Sequence, residues 1–303
     1  MKINDLLKHR SVTACMYESY KLMTDNAKDL LKHTWWAFML YAFFMALTVF
    51  LRSPNKMLHD WGEENMMLSF VLQTCVYLGS IGASFLMGAT VWRWITQMPF
   101  ARTLKRFVVF QLFSALIAFV FTFIAAFLLG LVVSLTGFSI ASASLVDSLL
   151  VMAAAVVAVF VLLIGVLPLA YMTPHYMLRQ KDEKCRLWTS FKCGLRHFGA
   201  IFNMGVLAFL IVCVVGIVIY IPLGILIGAQ VMAQLGTLEG DPVGTPAYFT
   251  PLFISATTLL FFVFTYVVCW LNISYVYLYG SIQNDEMKKK EISHLETYEV
   301  QEA

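Results

Sequence analysis

The chain has 303 residues, 60% of them hydrophobic and only 13% charged, with a net charge of +3. Soluble domains carry about 25% charged residues, so a soluble globule of this length would lack the polar surface needed to cover its apolar content. The small positive excess also argues against polyanion binding through bulk charge.

Residues 1–34 are polar and amphipathic, opening on "MKINDLLKHR". This start shows no short apolar region with a small-residue cleavage site, so the first span is expected to be a retained anchor. The pentapeptide "DLLKH" occurs at Asp5–His9 and again at Asp29–His33, two turns of similar amphipathic helix. Thr34–Leu51 is then the first uncharged run, followed by Asn65–Trp92, Phe107–Val146, Ser148–Leu178, Phe198–Leu238 and Pro242–Asn284. About 20 apolar residues in a helix cross a hydrocarbon core. The runs therefore predict six spans, near 35–51, 67–92, 107–133, 148–172, 199–228 and 252–280. They are continuous rather than alternating with period two, which points to helices and not to a barrel. Residues 35–280 form the membrane domain, and the mixed-charge tail 281–303 is expected to be a solvated, frayed helix or disordered.

Lys and Arg concentrate in the amino-terminal segment and at 93–106, 179–196 and 288–290. The alternate loops hold only Arg52 and Lys56 as basic residues, beside Asp60, Glu63, Glu64, Asp147, Glu239 and Asp241. By the positive-inside rule both termini are cytoplasmic, and the asymmetry is consistent across all six spans. The expected fold class is an all-α polytopic membrane protein of the bacterial cytoplasmic (inner) membrane. It has six transmembrane helices, both termini inside, and cytoplasmic interfacial elbow helices before spans 1 and 5.

The second elbow is read from "LWTSFKCGLRHFGAIFNMGVLAFLI", Leu187–Ile211, where a basic, aromatic half runs without a turn signal into an uncharged apolar half. On a helical wheel Leu187, Trp188, Phe191, Leu195 and Phe198 share one face, while Thr189, Ser190, Lys192 and Arg196 take the other. That pattern suits a helix lying in the interface, its basic side toward anionic headgroups. "KDLLKHTWWAF" from Lys28 aligns without gaps on "KCGLRHFGAIF" from Lys192, matching Lys28 to Lys192, Lys32 to Arg196 and His33 to His197. Arg102 and Arg106, four apart in "RTLKRF", stand before the third span, where any span starting inside acquires flanking cations.

The stretch "LPLAYMTPHYMLRQKDEKCRLWTSFKCGLRHFGAIF" places spaced prolines, Pro168 and Pro174, at the end of the fourth span. After a short segment comes a helix bearing Ser190, Lys192 and Arg196 that runs into the fifth. This layout resembles the six-span bacterial glycerophosphodiester phosphodiesterase membrane domain and related uncharacterised six-span families. The resemblance implies fold and topology, and it carries no catalytic residues.

Candidate chemistry is sparse. A soluble phosphodiesterase needs clustered acids and histidines to hold a metal and move a proton, and no such domain is expected in the short segments 1–34 and 281–303. The first external loop holds "HDWGEEN", where His59 and Glu63 are four apart, but Gly62 intervenes and a solvated acidic loop is the expected reading. Asp147 is placed to cap the fourth span. The six cysteines, Cys15, Cys75, Cys185, Cys193, Cys213 and Cys269, lie in spans or on the cytoplasmic side, so no external disulfide is expected. Cys185 and Cys193 are too far apart for a zinc knuckle, and no metal site or cofactor is assigned. Gln73, Gln111, Asn203 and Asn272 are expected to bond between helices. Small-residue stripes at Ser80/Ser84/Gly88, Ala154/Ala158 and Gly224/Gly228 would let helices approach closely.

These observations point to a non-enzymatic membrane protein acting in membrane or envelope homeostasis through contact with the phospholipid bilayer, a membrane-protein partner or another copy of itself. Lys28, Lys32, Arg102, Arg106, Lys192 and Arg196 are the candidate contacts to anionic headgroups. The alternative is a transporter or lipid-translocating permease with a cavity between spans 4–6, near the helix kinks at Pro168 and Pro222 and the polar Asn272. A Lys192→Cys substitution tests the orientation. A membrane-impermeant thiol reagent applied to intact cells should add no label over the unsubstituted protein, and labelling from outside would reverse the topology.

Overall fold

The computed structural model describes residues 8–53, 64–136, 145–178, 187–240, 246 and 248–302. These form eight helices and no strand: α1 (Val12–Asp25), α2 (Ala27–Arg52), α3 (Met66–Thr96), α4 (Phe100–Thr136), α5 (Leu145–Leu178), α6 (Leu187–Arg196), α7 (Phe198–Leu238) and α8 (Phe249–Glu302). Six are long and apolar enough to cross a membrane: α2, α3, α4, α5 from Ser148, α7 to Gly236 and α8 to Lys289. The chain is a multi-pass membrane protein, and each span read from the sequence falls within one of these helices. The helices outrun the apolar runs because backbone hydrogen bonding continues past the hydrocarbon edge, where charged side chains regain water.

Helix ends follow local chemistry. α3 stops at Gln97, whose φ of 55° puts a non-glycine residue in the left-handed region. Its amide N–H donates to Arg93 O at 2.8 Å, and its side-chain Nε2 donates to Trp94 O at 2.8 Å, offsetting part of the steric cost. Pro99 follows at once, and its carbonyl accepts the amides of Arg102 and Thr103 to start α4. At the other junction of interest, only His197 separates α6 from α7. The tail is helical to Glu302.

The expected lead-in before the first span is built differently. The break falls at Asn26, and α2 runs from Ala27 through Lys28, Lys32 and residue 34 into the span without interruption. The ungapped match between Lys28 and Lys192 therefore joins a continuous helix to a broken one. α1 is a separate helix, and its Cys15, Met16 and Ser19 are buried.

Chain contacts divide the protein into two compact units. The first comprises Met1–Met16, Lys105–Gly205 and Tyr275–Ala303. Its core joins α4, α5 and α6 through Phe110, Leu169, Met172 and Phe191, with Phe113, Ile117, Phe121, Tyr176 and Leu195 around them. The rings of Phe110 and Tyr176 stack at 5.4 Å. The amino-terminal strand of chain is clamped to α8 in this unit. Arg10 N–H donates to Ser281 Oγ at 2.9 Å, Ser281 Oγ–H donates back to Arg10 O at 3.1 Å, and His9 pairs with Asp285 at 2.9 Å. The Arg10 guanidinium also lies 5.0 Å from the Tyr277 ring centre.

The second unit comprises Tyr17–Leu104 and Val206–Ser274. α2 presents Leu30, Thr34, Ala37, Phe38, Ala42 and Ala46 as a buried stripe. Phe38 meets Tyr266 at 4.7 Å, Phe50 meets Phe253 at 6.1 Å, and Tyr220 lies 5.2 Å from Phe264. Ser19 and Ser274, both fully buried, share a hydroxyl hydrogen bond. Lipid tails are as apolar as leucine, so these contacts hold the unit by packing and hydrogen bonding rather than by exclusion of water.

Two expectations about small and polar residues need correction. Among the described residues, a Cβ at Gly224 or Gly228 would meet nothing, so none of the described helices packs closely on this stripe. Asn272 donates to Val268 O of its own helix at 2.9 Å, Gln73 reaches only Ser69 on α3, and Gln111 and Asn203 are exposed. Close approach is made instead at Gly165, where a Cβ would overlap the Phe121 ring, and at Gly194, where it would stand 3.1 Å from Pro168 Cα. Gly165→Ala should lower the thermal midpoint in detergent by the equivalent of about 1–3 kcal/mol of overpacking. Gly82→Ala, on an open helix surface, should leave it unchanged or raise it.

Candidate functional site

Among the described residues, reactive side chains gather in the first unit, where α5, α6 and α8 converge. α6 sets it up. Ser190, Phe191 and Gly194 are buried, Trp188, Lys192 and Arg196 are exposed, and Cys193 and His197 lie between. Gly194 lacks the side chain that would hold α6 off the backbone of Pro168, so Phe191 can reach Leu169 and Met172. Within this docking Ser190, on the basic side of the wheel, is 6% exposed, while Trp188 is 69% exposed and its ring stacks on that of Phe191 at 5.9 Å.

The helix break puts His197 beside Cys193. Its Nδ1 lies 3.2 Å from the Cys193 carbonyl oxygen and 4.0 Å from Cys193 Sγ. A carbonyl only accepts, so Nδ1 carries a proton, and in the neutral imidazole Nε2 then holds the lone pair. Nε2 faces Glu286 of α8, 3.5 Å from Oε1, and Arg196 Nη1 stands at 3.5 Å from the same oxygen. Arg196 is 70% exposed while Glu286 is 20% exposed, so water screens the pair and it contributes about 0–1 kcal/mol. Glu286 Oε1 is buried and makes no hydrogen bond among the described residues, and the same holds for Gln283 Oε1, one turn earlier on α8.

On the other side Cys193 Sγ donates to Tyr171 Oη at 3.4 Å. Tyr171 lies against His175 and Tyr279, with ring centres at 6.2 and 5.3 Å, and His175 Nδ1 is 3.2 Å from Tyr279 Oη. Tyr171, His175, Cys193, His197, Tyr279 and Glu286 thus form one contiguous cluster. The spacing of Cys185 and Cys193 gives no sign of this cluster. The available signal was Cys193 and His197 four apart, on one helix face.

The candidate headgroup residues divide between the units. Lys28, Lys32 and Arg102 belong to the second and are exposed. Trp35 and Trp36, 53% and 40% exposed, stand one turn beyond them on α2. Trp36 meets Phe100 at 6.4 Å, which joins the starts of α2 and α4. Arg106, Lys192 and Arg196 belong to the first unit, with Arg106 half-buried, and Lys192 Nζ lies 6.0 Å from the Trp188 ring centre. Pro168 is buried beneath α6 in the first unit, whereas Pro222, exposed, and Asn272 belong to the second. His59, Glu63 and Cys185 lie outside the described residues, as does the side chain of Asp147.

No family model matches the chain, and neither does a curated protein or a solved structure.

Thiol chemistry separates the cluster from the rest of the first unit. Cys15 is fully buried, and burial pushes its thiol up to about 11, with Arg10 pulling weakly the other way. The nucleophile is the thiolate, so Cys15 should resist a maleimide at pH 8 in detergent and react increasingly as pH rises toward 11. Cys193, partly open, should react at pH 8. Peptide mapping of the labelled protein reads both, and early labelling of Cys15 would contradict its packing.

Proposed function

We propose that this chain is a non-enzymatic protein of the bacterial cytoplasmic membrane that acts in membrane or envelope homeostasis by holding anionic phospholipid at its inner-leaflet end. The supporting observation is that exposed tryptophans accompany exposed cations at two sites. Trp35 and Trp36 accompany Lys28 and Lys32, and Trp188 accompanies Lys192. An indole seeks the headgroup level of the bilayer, and a lysine one turn away reaches the phosphates there. The apolar helices leave wide surfaces for lipid. In α4 only 6% of the most apolar window is buried, against 28% in α2. The asymmetry of Lys and Arg between alternate loops supports an inward-facing basic end. The layout of the fourth and fifth spans agrees with the glycerophosphodiester phosphodiesterase membrane-domain type.

Native mass spectrometry of the purified protein tests this reading. Anionic phospholipid should co-purify, and each Gln substitution at Lys28, Lys32, Arg102, Lys192 or Arg196 should weaken its retention about fivefold, the equivalent of roughly 1 kcal/mol per cation. Changing these five together with Arg106 should abolish it. Unchanged retention in the combined variant would sink the proposal.

A further inference from the structure

We propose that Cys193, His197 and Glu286 form a transition-metal site, matched best by Zn2+, that ties α6 to α8. Their donor atoms, one thiol sulfur, one imidazole nitrogen and one carboxylate oxygen, all lie within 4.8 Å of one another. Around a tetrahedral zinc such atoms stand about 3.4–3.6 Å apart, given bonds of about 2.3 Å to sulfur and 2.0–2.2 Å to nitrogen and oxygen. His197 Nε2 and Glu286 Oε1 already stand at 3.5 Å. Only the Cys193 side chain has to turn inward.

Three further features favour a metal. The hydrogen bond from His197 Nδ1 to the Cys193 carbonyl orients the ring and leaves Nε2 as the free donor, the outer support that metal-bound histidines use. It also withholds Nδ1 from the thiol, so His197 is not set to act as a base on Cys193. Glu286 Oε1 is buried without a hydrogen bond, and a cation at the centre of the three groups would satisfy it. The donor set selects the ion. Calcium and magnesium require oxygen ligands, copper(I) favours softer sets without carboxylate, and a mixed sulfur, nitrogen and oxygen set suits zinc.

Binding is balanced in charge. Cys193 releases its thiol proton to buffer as the sulfur–metal bond forms, and the thiolate and the Glu286 carboxylate together neutralise the dication. Arg196 loses its carboxylate partner and, being 70% exposed, turns to water at little cost. The three protein ligands leave a fourth position open, and Tyr171 Oη, at 3.4 Å from the sulfur, borders the site.

Co2+ titrated into the reduced, full-length protein in detergent serves as the visible probe. One equivalent should produce a thiolate-to-cobalt charge-transfer band with intense tetrahedral visible bands, and Zn2+ should bleach both. Cys193→Ser should remove the charge-transfer band, whereas Cys185→Ser and Cys213→Ser should keep it. His197→Gln and Glu286→Gln should each weaken binding by at least about 10–100-fold, the range already seen when a group that merely orients a ligand is lost. Arg196→Gln removes the competing cation and should tighten binding, a direction that a merely structural role would not produce. Absence of the band in the unsubstituted protein at millimolar Co2+, or its persistence in Cys193→Ser, would overturn the site. Should Cys193→Ser fail to fold, Zn2+ protection of Cys193 from maleimide in the unsubstituted protein decides the question: protection supports the site and full reactivity refutes it.

Discussion

Hydrocarbon offers no hydrogen bonds, so a polar atom in a span that lacks a partner within the protein is costly. Most hydroxyls here answer to their own helix. Thr34 donates to Leu30 O, Thr48 to Phe44 O, Thr74 to Phe70 O, Ser84 to Ile81 O, Thr173 to Leu169 O and Thr258 to Ile254 O. Asn272 does the same with its amide. Once a side chain bonds back to its own turn, the helix surface it leaves is effectively apolar, free to meet lipid or another helix through shape alone. Packing then falls to aromatic rings and small residues, such as Phe121 over Gly165 and Phe38 against Tyr266.

The same constraint explains why so much of the fold was legible. A bilayer filters a chain in one dimension, and uncharged runs report it without knowledge of tertiary contacts. Each of the six spans read from those runs lies in a helix of sufficient length. Helix breaks were less legible, because they depend on single residues. Asn26 breaks the helix inside the lead-in 1–34, and His197 interrupts α6 from α7 although nothing in its identity marks a break. Polar residues misled for a related reason. The types of Gln73, Gln111, Asn203 and Asn272 suggest bonds between helices, yet Asn272 bonds a carbonyl and Gln73 a serine of its own helix, and Gln111 and Asn203 are exposed.

The cluster around Cys193 was illegible in a different way. Half of it, the Cys193–His197 spacing, was visible in the sequence. The other half was not, since Glu286 belongs to the charged run that opens the tail, and only the docking of α6 and α8 within one unit brings it to His197 Nε2. The seating of α6 on α5 in turn depends on Gly194, whose missing side chain lets α6 lie against Pro168. A wheel drawn for α6 alone placed Trp188 and Phe191 together. The partner helix buries Phe191 and leaves Trp188 outside, while the two rings still stack at 5.9 Å.

α6 consequently presents two chemistries on ten residues. Its outer side carries Trp188, Lys192 and Arg196, and its inner edge carries Cys193, leading to His197. Arg196 belongs to both, because its guanidinium stands 3.5 Å from Glu286 yet is largely exposed. It cannot serve the carboxylate and a lipid phosphate at full strength together. A cation that claimed Glu286 would release Arg196 toward headgroups, and a headgroup that claimed Arg196 would leave Glu286 open to a cation. Linkage makes that assistance reciprocal and equal in free energy. Lys192 has no such tie to Glu286, so its contribution to lipid retention should be indifferent to metal, which separates the two proposed activities on a single short helix.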